Sequence, residues 1–410
     1  MKLNATVAGV GMTPFGKHLD RTLKSLAQEA IQAALTDAGL GTKDIQAAYM
    51  GNAAAAVITG QICVPGEIVL REMGIGRIPV INVENACATA STAFNQAAAM
   101  VTFGAYDVVL ACGYEKLVHQ DKALSFSVFA GAVDVEDMDG LKARVAQKMR
   151  SVGALADSDA GANRSVFMDI YATEIVAHMQ KYGTTREQLA AVSAKNSRHG
   201  HLNPRAQFRD VLTVEQVLSA REIVYPLTLP MCSPIGDGAA AVILVSEKKA
   251  REMGLSKPVA IRSSVLQTGW DHDAADTSAV FRLASDTAYA EAGVSPSDIQ
   301  VAELHDASAS SEILHTEYLR FCGEGEGGAF VESGATSLGG RLPINPSGGL
   351  LRKGHPIGAT GIAQIVELTE QLQGRSGARQ VPNARMALAE NGGGYVHDDV
   401  AALVVTILSR

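Results

Sequence analysis

Apolar and polar positions along the chain fall into alternating strand-length runs and helix-length stripes. The N-terminus, M-K-L-N-A-T-V-A-G-V-G-M, reads as a first strand. Pro79–Val83 is a short apolar run that predicts a buried strand, and the Ala-, Gln- and Met-rich segment to Phe103 predicts a helix. Two segments repeat one pattern. A-L-T-D-A-G-L-G-T-K-D-I-Q-A-A begins at Ala34 and A-Y-A-E-A-G-V-S-P-S-D-I-Q-V-A begins at Ala288, and Gly39, Asp44 and Gln46 recur as Gly293, Asp298 and Gln300, each pair 254 positions apart. Each copy predicts an amphipathic helix, a C-terminal glycine cap, a short Asp-capped turn and a strand. The chain is therefore read as a duplication.

Each half also ends on a strand pair. In the second half, Ala384–Ala389 and Val400–Leu408 flank N-G-G-G-Y-V-H-D-D, read as a hairpin-like turn. The matching first-half strands are Asp107–Cys112 and Ala239–Val245. The residues between them, Gly113–Gly236, are read as a large insertion at a hairpin tip, with amphipathic helices over Asp169–Tyr182 and Thr185–Asn196, the second opening on a capping-box start, T-T-R-E-Q. The expected class is α/β. Residues 1–113 plus 237–256 form an N-terminal half, 114–236 an inserted loop domain and 257–410 a C-terminal half. The halves are βαβ-rich, related by a pseudo-twofold, each with a mostly parallel sheet between helices.

Composition narrows the function. The 410 residues are 47% hydrophobic, enough for a sizeable core. A net charge of −8 without a basic run argues against a nucleic-acid partner. Five scattered cysteines (63, 87, 112, 232, 322) form no C-x-x-C pair, which argues against a disulfide framework and a structural zinc site. No apolar run reaches membrane-spanning length, the N-terminus lacks a signal-peptide pattern, and a reducing cytoplasm is the expected setting.

Three places carry candidate chemistry. Cys87 lies where a strand turns into a helix, in E-N-A-C; unpaired helix-start amides and the helix dipole favour a thiolate there. Free cysteines are also among the most buried residues, so a plain core role is the competing reading. In the second half, A-E-L-H-D-A-S-A-S (Ala302–Ser310) places His305 and Asp306 at a strand end. N-P-S-G-G-L-L-R-K-G-H-P-I-G-A-T-G (Asn345–Gly361) places His355 before an apolar helix, as Cys87 precedes its own. Gly392–Gly394 lets backbone amides approach a ligand. Taken singly, the histidines fit a loop histidine and a capping pair, and the glycines a turn. Together they fall at equivalent switch points of two duplicated halves, as a nucleophile, its base and amide donors require.

The N-P-S-G-G-L-x-x-K-G-H-P-x-G-A-T-G stretch, with the upstream cysteine loop, C-S-P-I-x-D-G-A-A-A-V-I-L (Cys232–Leu244) and the terminal glycine run, resembles the thiolase family over essentially the whole chain. It is most similar to the sterol-carrier-protein-x branch and to bacterial thiolases that pair with a small zinc-ribbon/OB-fold subunit. Gly113-Tyr114-Glu115-Lys116 matches that branch's G-F-E-K. The resemblance implies a five-layer αβαβα thiolase fold and a homodimer paired through the strand near the cysteine. It implies cleavage of a 3-oxoacyl-CoA by free coenzyme A, the substrate, with no metal in this chain. Cys87 would carry the acyl group and His355 would accept its proton. His305 with His355 would form one oxyanion hole, and the amides of Cys87 and Gly393 a second. Ser233, Ser347 and Gly348 would contact coenzyme A.

The chain departs from the family twice. Glu390-Asn391 stand before Gly392 where a second cysteine is usual, and Ala307 replaces the cysteine of H-D-C-F. Either His305, Asp306, Glu390 or the Ser308 hydroxyl takes the acid/base role at the α-carbon, Glu390 only with its pKa raised by burial, or the reaction does not need one. The loss points to a bulky, branched or aromatic acyl group, such as a benzoylsuccinyl-type thioester. Alternatives on the same fold are a C-acylating or decarboxylating ketosynthase-like enzyme and a retro-aldolase. A non-catalytic scaffold would not require Cys87 and His355 to meet.

Overall fold

The computed structural model describes residues 3–153, 164–270 and 279–410. The expected duplication is visible in the strand order. Eleven strands are named here in chain order: β1 (Ala5–Met12), β2 (Ala47–Gly51), β3 (Val80–Val83), β4 (Val108–Glu115), β5 (Glu222–Val224), β6 (Leu227–Thr228), β7 (Gly238–Ser246), β8 (Val259–Gln267), β9 (Val301–Glu303), β10 (Met386–Val396) and β11 (Asp399–Ser409). Nine run as one sheet in the order β3-β2-β4-β7-β1-β8-β11-β10-β9, while β5 and β6 pair separately. The nine-strand order reads the same outward from the β1/β8 junction. β1 corresponds to β8, β7 to β11, β4 to β10 and β2 to β9. The place of β3 is taken by the single parallel bridge of Ile344 to Ala302.

The sheets are mixed rather than mostly parallel. β2 is parallel to β3 and β4, and β9 to β10, but β4/β7, β7/β1, β1/β8, β8/β11 and β11/β10 are antiparallel. The closing hairpin-like pair of each half forces this, because each outer parallel unit is followed by a strand that returns.

The repeated units fold alike. Helix α1 (Leu23–Ala38) ends on Gly39 with φ 66°, and Asp44 Oδ2 accepts from the Gly41 amide at 2.8 Å. The helix Ala279–Ala292 is followed by Gly293 with φ 69°, and Asp298 Oδ2 accepts from the Ser295 amide at 2.7 Å. Left-handed backbone at the cap is what selects glycine there. The C-terminal strand pair differs from expectation: Gly392–Gly394 lie inside β10, and the turn is His397-Asp398, between the paired Val396 and Asp399. β3 is an edge strand rather than a buried one, with Ile81 36% exposed.

Helices α2 (Thr89–Thr102) and α8 (Thr360–Gln373) lie back to back between the two halves of the sheet and share its inner core. α1 covers the outer face of the first half and the helix Ala279–Ala292 that of the second, which completes five layers. α8 is buried on nearly every side, so its polar residues need partners. Gln364 donates to the Glu390 carbonyl at 2.9 Å, and Glu367 accepts from Arg379 at 2.9 Å. Between β4 and β7 the chain leaves the sheet and forms a lobe carrying α3 (Val166–Tyr182) and α4 (Arg186–His201). Thr185 and Gln188 make the expected capping box at the start of α4. Antiparallel pairing of Glu115 with Gly238 closes the base of this lobe.

α2 and α8 meet tightly at their starts, where a Cβ on Gly361 would sit 2.6 Å from the Ser91 amide and closer still to its hydroxyl. Gly361→Val should therefore cost about 1–3 kcal/mol by overpacking, seen as a lower denaturation midpoint. Gly76→Ala, which has open space around it, should leave the midpoint unchanged.

Candidate active site

The chain turns sharply into α2. Ala86 has φ 47°, Ala86–Ala88 form one 3-10 turn, and Asn85 is fixed by its amide to Thr89 Oγ1 at 2.8 Å and by its side chain to Thr92 Oγ1 at 3.0 Å. Cys87 sits on this turn. β10 crosses directly over it. A Cβ on Gly393 would stand 2.9 Å from the Cys87 nitrogen and closer to Ala88 N and Asn85 O. Only glycine permits that approach. The amide that reaches the sulfur is Gly394's, together with Cys87's own.

His305 follows β9, and His355 precedes α8. Their rings meet edge to face with centroids 5.2 Å apart. The Cys87 sulfur and one nitrogen of each imidazole all lie within 4.8 Å of one another. The structure thus joins a sulfur from one half to two imidazoles from the other. The tautomer of His355 follows from its neighbours. Thr360 donates its hydroxyl hydrogen to the Pro356 carbonyl at 3.1 Å, so its oxygen accepts from His355 Nδ1–H at 2.8 Å. Nε2 is left with a free lone pair. Among the described residues, His305 Nε2 is buried without a hydrogen-bond partner.

Electrostatics correct one expectation. The helix start does not make Cys87 a resting thiolate. Burial pushes the thiol up to about 12, the Glu115 carboxylate adds to this, and the two amides only partly offset it. Burial lowers His305 to about 4, and burial with neighbouring His305 holds His355 well below the usual histidine range. The resting set is neutral: thiol and two free-base imidazoles.

The four substitutes for the missing cysteine are also placed. Glu390 is buried, but its Oε2 accepts from the His305 amide at 3.0 Å and pairs with His315 Nδ1 at 2.9 Å. Although burial works to raise it, His315 and His305 hold its carboxyl below the ordinary value, the reverse of the shift expected for a proton donor. Asp306 accepts from the Leu350 amide at 2.6 Å and from Asn196 at 2.8 Å. Ser308 is bonded to Ser310 and bridges in β fashion to Cys232. His305 alone faces the sulfur.

The expected coenzyme A contacts separate in space. Ser347 is fully buried, its hydroxyl donating to Glu303 Oε2 at 2.6 Å, and Gly348 packs against Gly200. Ser233 donates its amide to the Ala307 carbonyl at 3.0 Å, beside the His305 loop.

A cavity opens over Cys87. Gly392, Gly393, Gly394 and His305 form its floor. Phe167, Ile170, Tyr171 and Glu174 of α3, Phe281, and His315 and Tyr318 of α6 (Ala309–Tyr318) form its walls. These wall residues escaped the sequence reading. Their signal was present: 167, 170, 171 and 174 share one helical face, and the last position of that apolar stripe is a glutamate.

Both halves match known families: the N-terminal domain of thiolase over residues 5–224, and the thiolase C-terminal domain-like family over 266–409. The chain belongs to the thiolase family and is a thiolase-type acyltransferase. It is 37% identical over 396 residues to an acetyl-CoA acetyltransferase of Methanothermobacter thermautotrophicus, covering 95% of this chain and 96% of that one. It is 34% identical over 405 residues to the benzoylsuccinyl-CoA thiolase subunit BbsB of Thauera aromatica, covering 96% of each. Human sterol carrier protein 2 is 36% identical, covering 94% of this chain and 69% of that one. Among solved structures, an Ltp2-ChsH2(DUF35) aldolase superposes with a TM-score of 0.77 at 24% identity, over 99% of this chain and 98% of that one. Human mitochondrial 3-ketoacyl-CoA thiolase superposes with a TM-score of 0.71 at 16% identity, over 99% and 98%. Both structural likenesses speak to the fold.

A thiol raised to about 12 should alkylate slowly at neutral pH. The rate of iodoacetamide capture at Cys87, read by peptide mass spectrometry, should climb roughly tenfold per pH unit from 7 to 10, without the plateau near 8.5 of an ordinary cysteine.

Proposed function

We propose that the protein cleaves a 3-oxoacyl-CoA with free coenzyme A through an S-acyl intermediate on Cys87. The observation that carries this reading is the meeting of Cys87, His305 and His355 within 4.8 Å across the duplicated halves. His355 Nε2 takes the thiol proton as the sulfur attacks the 3-oxo carbon. A thiol near 12 and a weakly basic imidazole do not exchange a proton at rest, so transfer accompanies attack. His305 Nε2, without a protein partner among the described residues, donates to the thioester oxygen once its tautomer carries the proton there. The Cys87 amide, with an amide of the Gly393-Gly394 stretch, receives the oxygen of the acyl-enzyme.

The acyl group in this reading is bulky or aromatic. Phe167, Tyr171, Phe281 and Tyr318 around the cavity support it, as does a relative named for benzoylsuccinyl-CoA. Coenzyme A is a substrate, and no step calls for a metal. A second subunit of the small zinc-ribbon/OB-fold kind belongs to the same reading, supported by the naming of that relative as a subunit. The five free cysteines fit a cytoplasmic setting. The same Cys-His-His set also supports decarboxylating condensation, which carbon dioxide release from malonyl thioesters would reveal.

Cys87→Ser should abolish thiolysis of 3-oxoacyl-CoA thioesters and remove the acyl adduct seen on the Cys87 peptide by mass spectrometry. An adduct on another residue, or full activity in the variant, would refute the mechanism. We also infer a homodimer joined along β3. Ile81 on that edge is exposed, and Ile62 and Val64 nearby are 78% and 52% exposed. Ile81→Asp should shift the sedimenting species from dimer to monomer; a wild-type monomer would refute this.

A further inference from the structure

Cleaving the bond between C2 and C3 of a 3-oxoacyl thioester leaves its electron pair on C2, which needs a proton. The incoming coenzyme A thiol must then lose one. His355 is occupied by the Cys87 proton through both events. Glu390 is held ionised by His315, while Asp306 and Ser308 are bonded away from the sulfur. His305, a neutral imidazole lowered to about 4, spends its one N–H on the thioester oxygen, so a separate acid/base is required.

Glu174 meets the requirement by position. It is half-buried on α3, in the inserted lobe, and shares the cavity with Cys87, His305, Gly392 and Gly393. Among the described residues its carboxyl has no hydrogen-bond or ion-pair partner, in contrast to Glu115, Glu303, Glu312, Glu317 and Glu390, all buried and all bonded. Tyr171 of the same helix, which lines the same cavity, lies in the fields of both Cys87 and Glu174. The groups facing it are Tyr171 on its own helix, His315 on α6, Lys148 on the helix Met138–Ser151, Tyr395 on β10 and Asp399 on β11.

We propose that Glu174 is the catalytic acid/base at the substrate α-carbon, doing from the inserted lobe the work of the absent cysteine. This rests on the thiolase reading above. In the first half-reaction the Cys87 proton passes to His355 as sulfur bonds to C3. The C2–C3 bond breaks, its electron pair stays on C2, and C2 takes the proton of the Glu174 carboxyl. In the second, the Glu174 carboxylate takes the proton of the coenzyme A thiol, the new thiolate attacks the acyl carbon, and the Cys87–carbon bond breaks. Cys87 then recovers its proton from His355. Each group returns to its starting state.

Burial supports the assignment by pushing the Glu174 carboxyl up to about 7, against the lowering effects of His315 and Lys148. An acid with that value holds its proton below pH 7 for the first half-reaction and offers a carboxylate above pH 7 for the second. Turnover should fall on both sides.

The test is hydrogen exchange at the α-carbon. Wild-type enzyme incubated in D2O with the released thioester that carries C2 (acetyl-CoA where C2 is unsubstituted) should wash deuterium into that α-carbon, read by mass spectrometry. Glu174→Gln should slow this exchange and kcat by roughly 10²–10⁴-fold, and should lose the turnover limb near pH 7. Its iodoacetamide capture rate at Cys87 should stay unchanged, which shows an intact site. Glu174→Asp should restore part of the exchange and the pH limb. Wild-type exchange in Glu174→Gln, or a pH limb that persists in it, overturns the role of Glu174 and leaves the acyl-Cys87 mechanism standing. No acyl adduct on wild-type Cys87 overturns the thiolase reading itself.

Discussion

The catalytic geometry depends on a buried polar network beneath the two histidines. Glu303 and Asp306 bracket His305 in sequence, and Lys353 stands two residues before His355. Glu303 accepts from Lys353 at 3.0 Å and from the Ser347 amide and hydroxyl. Asp306 takes the Leu350 amide and Asn196, and Glu312 takes Lys195, Asn196 and Asn345. Buried ion pairs of this kind add little net stability, because desolvation offsets their attraction. Their effect is on position: strand-end and loop side chains that turn down into the network leave His305 and His355 turned up toward the sulfur. Losing one partner would strand a buried charge, so the network holds as a whole or not at all.

A second constraint joins the halves. Glu115, at the end of β4, accepts from Gly358 at 2.9 Å, inside the loop that carries His355, and from the amides of Ala53, Ala54 and Lys116. One carboxyl in the first half thereby pins the histidine loop of the second. The same carboxyl raises the Cys87 thiol, so docking of the halves and protonation of the nucleophile are linked through one side chain. Glycine completes the fit, since Gly361 and Gly393 stand where helix meets helix and strand meets the Cys87 turn.

Much of this was legible in the sequence because duplication repeats its signals. The helix–glycine–aspartate–strand unit, read at Gly39 and Gly293, folds the same way twice. The placing of Cys87 and His355 before equivalent helices, α2 and α8, follows from it. Other features were hidden for physical reasons. Glycines at 392–394 read locally as a turn, yet pairing with β11 and the press of the Cys87 turn keep them in a strand. β3 reads as buried because Val80 and Val83 do pack partly against the core, yet as an edge strand it leaves Ile81 exposed. Ser347 looks like a ligand contact until Glu303 is seen to need it. Glu174 is not legible in the sequence because it lies on an inserted helix, whose stripe becomes meaningful only once the lobe folds over the cavity.

The neutral resting state is itself informative. A thiolate held permanently beside Glu115 in a buried site would need a cation at hand, and the two nearby imidazoles are too weakly basic to supply one. Charge therefore has to arise with bond formation, when the negative charge leaves the sulfur for an oxygen that amides and imidazole can meet. Substrate entry also displaces whatever solvent reaches the cavity, which strengthens those donors further. On this account the site favours the transition state over a resting ion pair. A buried, protonated thiol also oxidises less readily than an exposed thiolate, so the same burial that slows idle chemistry at Cys87 preserves it for the thioester.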